Sequence, residues 1–176
     1  MTTWDLQLCP ETAQPFKDGQ PPDIVRLVDA AVAVAEMGRS VDNGGRESEY
    51  EGVVAAVRKL FEACEEITPD KIAVRKWAGD LRLNDPGGLF REIQDRVTEL
   101  IACDKKVAVA EKWDTEDIDL VVPQSESYPT LTEDEPIREI LRTERDVAAD
   151  KLEVLLRDAL ALAYRVYTAA VKSRNQ

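Results

Sequence analysis

Between Leu131 and Arg174 the chain has no glycine, and no proline after Pro136. Nothing in the backbone chemistry interrupts a helix there, and about 40 residues at 1.5 Å each make a rod of roughly 60 Å. Most helices are a third of that length or less, so every other element has to pack along this rod or leave it bare. Thr132 can cap its start with Glu135 three residues on, and Pro136 is tolerable that early in a helix. Leu141, Ala148, Leu155, Leu162 and Ala169 recur at intervals of seven, while Leu152, Ala159 and Val166 form a second seam. Leu156, Leu160, Ala163 and Tyr167 widen the apolar face toward the C-terminus. The rod therefore divides into a core half, Val154 to Val171, and a charged half, Glu133 to Leu152, expected to stand clear of the bundle.

The preceding segments read as shorter helices. Pro21 and Pro22 suit a helix entrance, and Ile24, Leu27, Val28, Ala31, Val34 and Ala35 recur at three and four residues until Gly38 ends the pattern. After a loop around Gly44-Gly45, Glu47 to Ile67 presents Val53, Val54, Val57, Leu60, Phe61 and Cys64 on one face. Thr68-Pro69 signals another start, with a short helix to about Leu83 before N-D-P-G-G breaks it. Leu89 to about Lys112 follows, with Leu89 or Phe90, then Ile93, Val97, Leu100 and Ile101 on its stripe. The alternating valines after Asp104 leave a small β-hairpin near residues 107–122 open beside a continued helix. Residues 1–20, with Pro10, Pro15 and Gly19, read as an extended arm, and Trp4, Leu6 and Leu8 alternate as in a short strand or a docked tail. The expected fold is all-α: a bundle of about five helices in one domain, 21–176, with a long C-terminal helix and an acidic connection at 114–130.

Chemistry is narrowed by what is missing. The chain has no histidine, which removes the commonest general base and transition-metal ligand, and with it His-based triads and HExxH sites. No phosphate-cradling glycine motif occurs. The three cysteines, Cys9, Cys64 and Cys103, are odd in number and lack CxxC spacing, so neither a disulfide framework nor a zinc site is expected. No stretch approaches a membrane span and the N-terminus lacks a secretory pattern, so a cytoplasmic location is expected.

Charge supplies the positive signal. The net charge is −12, and between Asp114 and Asp146 eleven acidic residues face three basic ones, a local net of −8. Two thirds of the excess thus falls in under a fifth of the chain. Direct nucleic-acid binding is disfavoured because no segment clusters Lys or Arg. The leading reading is a non-enzymatic interaction protein (adaptor, scaffold or inhibitor) without a cofactor. It engages a protein partner with a basic surface, or a second copy of itself, through 114–152. The residues assigned to that contact are Asp117, Asp119, Glu133, Asp134, Glu135, Leu141, Ala148, Leu152 and Leu155.

Two other classes stay open. Glu62 with Glu65, then Glu92 with Asp95, has the form ExxE followed by ExxD, and three-residue spacing puts each pair on nearly one helix face. This spacing resembles that of the all-α nucleoside triphosphate pyrophosphohydrolases of the MazG and dimeric dUTPase type. The resemblance covers a small part of the chain and implies that these four carboxylates hold magnesium while water attacks a phosphate chain. Alternatively, acids along a rod can imitate duplex phosphates and occupy a nucleic-acid-binding partner, although Arg138, Arg142 and Arg145 interrupt the acidic run.

Overall fold

A computed structural model describes residues 3–42, 47–67, 86–111 and 134–176. They form five helices: α1 (Pro10–Lys17), α2 (Pro22–Asp42), α3 (Glu47–Ile67), α4 (Pro86–Glu111) and α5 (Asp134–Arg174). No strand occurs among the described residues. Residues 107–111 continue α4 as helix, while the rest of the open hairpin segment, 112–122, lies outside the described residues. So does the helix expected from Thr68 to Leu83.

Cross-helix pairs fix the topology. Ser40 meets Glu49 while Arg26 meets Glu66, so α2 and α3 run antiparallel. Phe61 packs edge-on against Phe90 with ring centroids 6.3 Å apart, which places the end of α3 at the start of α4. Arg138 reaches the Ala110 carbonyl and Arg145 reaches Asp104, so α4 and α5 are antiparallel. Arg174 clamps Asp23 and Leu156 lies over Gly38, which closes the ring between α5 and α2. The result is an up-down-up-down four-helix bundle. Each helix turns inward the stripe its spacing predicts: Ile24, Leu27 and Val28 on α2, Val57 and Leu60 on α3, Ile93 and Leu100 on α4, Leu156 and Leu160 on α5 are fully buried.

The N-terminal segment departs from a simple extended arm. Trp4, Leu6 and Leu8 dock into the core, and the chain then forms α1. Pro10 occupies the first helical turn, where its missing N–H costs nothing, and the Cys9 N–H donates to the Thr12 hydroxyl at 3.0 Å. Pro15 forgoes one backbone bond, tolerable in a helix of 8 residues. Gly19, at φ +70°, supplies the left-handed turn into α2. Gly38 does not end α2, which continues to Asp42. A Cβ at Gly38 would lie 2.6 Å from Leu6 Cδ2 and 3.3 Å from Leu156 Cδ1, so this glycine makes room for the docked tail. Arg39, one residue on, donates to the carbonyls of Leu6 and Leu8, the latter at 2.8 Å.

Candidate interaction surface

Among the described residues, the register of the bundle leaves the end of α4 and the start of α5 beyond the other helices. Tyr50, at the start of α3, lies beside Arg145 of α5, and among the described residues the first turns of α5 extend past that level along the end of α4. There Ala110, Ile137 and Leu141 make a small apolar cluster separate from the main core. Arg138 Nε donates to the Ala110 carbonyl at 2.8 Å, satisfying one of the carbonyls that a helix end leaves without a partner. A cation there also opposes the negative end of the α4 dipole.

Arg145 marks the junction between this projection and the bundle. It is 18% exposed, and its Nε donates to Asp104 at 2.9 Å while a second guanidinium nitrogen lies 3.5 Å from the Tyr50 hydroxyl. Its pKa is raised, chiefly by the hydrogen bond with Tyr50 and then by the charge and bond of Asp104, against a desolvation cost. Three helices are thereby tied by one fixed charge.

Below the junction α5 belongs to the core from Ala148 onward, six residues earlier than the sequence division at Val154. Ala148 and Leu152, assigned to partner contact, are buried inside the chain's own core. Leu155 is partly buried against that core, and Leu141 packs on Ala110. What α5 turns outward is the neighbouring column. Ile140 is 56% exposed, Val147 45% and Val154 54%, and Val109 at the end of α4 is 42% exposed. Residues one apart lie about 100° apart around a helix. Two columns with the same seven-residue repeat therefore stood side by side in the sequence, and burial took the one beginning at Leu141. The signal for the outer column was present as the spacing of Ile140, Val147 and Val154. Asp117, Asp119 and Glu133 lie outside the described residues, as do the side chains of Asp134 and Glu135.

No protein-family model, curated protein or solved structure matches the chain.

The carboxylates of the pyrophosphohydrolase-like pattern do not converge. Glu62, Glu65, Glu92 and Asp95 are all exposed, because Phe61, Cys64, Ile93 and Val97 take the inward positions beside them. Glu62 lines a groove between α2 and α3, with Arg26, Asp29, Lys59 and Glu66 at its walls and Ala30, Ala33 and Ala63 between. Glu92 instead lies close enough to Asp158 of α5 to act on its titration. No group of three or more metal-ligating side chains gathers among the described residues. Burial pushes the Cys64 thiol up to about 12, so it stays protonated as a core side chain. Among the described residues no helix is long and apolar enough to cross a membrane.

Proposed function

We propose that this chain is a helical interaction protein whose working surface is the projecting end of α4 and α5 together with the outer column of α5. The observation that carries this reading is the exposure of Ile140, Val147 and Val154 at seven-residue spacing. Scattered apolar groups on a surface need no explanation. A column of β-branched residues at coiled-coil spacing, on the outward side of a 41-residue helix, is what a partner helix recognises. The acidic run leading into α5 adds long-range attraction for a basic partner and a salt-sensitive association rate.

Capture from the native cell extract on immobilised protein tests this, with Val147→Lys run in parallel. A partner retained by the wild type and lost with Val147→Lys, at unchanged helicity, supports the reading. Indifference of all captured material to that substitution overturns it. Weakening of capture as salt rises separates the acidic contribution from the apolar one.

A further inference from the structure

The charges that flank the outer column identify its occupant. We propose that the column takes α5 of a second copy of this chain, antiparallel, about a two-fold axis at Val147; this deepens the interaction reading and rests on it. In that arrangement Val147 meets its own equivalent and Ile140 meets Val154 of the second copy, so the three exposed apolar groups cover one another. Around a helix of 3.6 residues per turn, Glu144 and Lys151 share the flank of this column that faces α4, and Glu139 and Arg157 share the other. A two-fold axis perpendicular to the helices brings like flanks together with the direction reversed. Glu144 then stands opposite Lys151 of the second copy, and Glu139 opposite its Arg157, each pair occurring twice.

All four side chains are exposed. Arg157 is held at 2.6 Å by Glu153 on its own helix, already turned along the surface. Among the described residues Glu144 and Lys151 are in no ion pair. Asp146, one residue before the axis, lies 3.8 Å from its own Arg145, and Asp150, exposed three residues after it, shares the flank of Glu139 and Arg157. A parallel pairing fits less well. Arg165 lies five turns beyond Val147 on the same line, and a parallel copy would set it against itself while aligning the two helix dipoles. The antiparallel pairing also points the acid-bearing first turns of the two α5 helices in opposite directions, which matters for a chain of net charge −12.

Sedimentation equilibrium of the full chain across the micromolar range tests the proposal, because an interface this narrow belongs to the weak class. A reversible dimer is expected. Glu144→Lys and Lys151→Glu, each placing like charges opposite one another, should weaken it about tenfold or more. The combined E144K/K151E chain should recover dimerisation, and an equimolar mixture of the two single variants should form a mixed dimer. Circular dichroism melting of each variant confirms that folding is intact at these exposed positions. A strict monomer, or a dimer that Glu144→Lys leaves unmoved, overturns the proposal. If the chain is monomeric yet loses a captured partner on Val147→Lys, self-pairing alone falls and the broader interaction reading stands.

Discussion

Arg145 and Asp158 place charge at helix contacts with opposite effects on stability. Arg145 satisfies Asp104 and approaches the Tyr50 hydroxyl, whose side chain is otherwise fully buried. Arg145→Met keeps the stem and removes the charge, leaving a buried hydroxyl and a half-buried carboxylate without it. The expected loss is about 1–3 kcal/mol, or a fall in Tm of roughly 3–10 °C for a chain of this size, read by thermal denaturation. Asp158 has its pKa raised, first by burial and then by Glu92. Its folded form binds a proton more readily than its unfolded form. Its contribution therefore favours folding at low pH, declines as pH rises from the ordinary carboxylate value through the raised one, and is unfavourable at neutrality. Asp158→Asn should raise Tm by about 1–3 °C at pH 7 and flatten that part of the stability–pH curve. Asp23 runs the other way. The Arg174 guanidinium holds its carboxyl below the ordinary value, so that contact stabilises above the ordinary value and is lost as pH falls through the depressed one. Chemical denaturation of wild type and Asp23→Asn between pH 7 and strongly acid conditions should converge at the acid end.

At the scale of elements, the N-terminal tail behaves as a ligand of the bundle. Trp4 is 1% exposed, with ring centroids 5.2–5.7 Å from Phe16, Tyr164 and Tyr167, and the Tyr167 hydroxyl donates to the Phe16 carbonyl at 3.0 Å. Trp4→Ala should cost about 3–5 kcal/mol. Gly38→Ala trades better helix propensity, worth about 1 kcal/mol, against contact with Leu6. Its expected signature is faster amide exchange through residues 5–9 with little change in α5. These two elements also show what the sequence made readable. The inward faces of α2, α3 and α4 followed from spacing alone, because one helix covered on one side leaves a periodic record. Docking of Trp4, Leu6 and Leu8 left only an alternation that fits a strand as well as a tail. Two prolines hid α1, although Pro10 at its start is a helix signal. Gly38 read as a stop because close approach by another segment and chain termination both select glycine. On α5, adjacent columns carried the same repeat, and only packing against α4 could decide that Leu141 turns in and Ile140 out.

Across the whole molecule, stability should grade along α5. From Ala148 to Tyr167 its inner face is buried in the bundle core, whereas its first turns rest on α4 through the small Ala110 cluster. Local opening is cheapest where few apolar contacts are broken. Native-state hydrogen exchange should therefore protect amides 152–166 nearly to the limit of global unfolding. Protection should fall by at least about tenfold across 138–144, where opening is about 1.4 kcal/mol or more easier. Occupation of the outer column by a second helix should restore much of that difference.

The same antiparallel ring settles where the two chain ends emerge. Trp4 lies against Tyr164 and Tyr167, and Asp23 clamps Arg174, so both ends leave the bundle at one pole. Val147 is 17 residues from Tyr164 along α5, about 25 Å away. A dye, surface anchor or fused reporter attached at either end thus hangs from the pole opposite the projection. Such attachments can report on binding without sitting in its path, and two copies joined in the antiparallel manner would hold theirs far apart. Energy transfer between end-labelled copies would accordingly be weak in that dimer and strong in a parallel one.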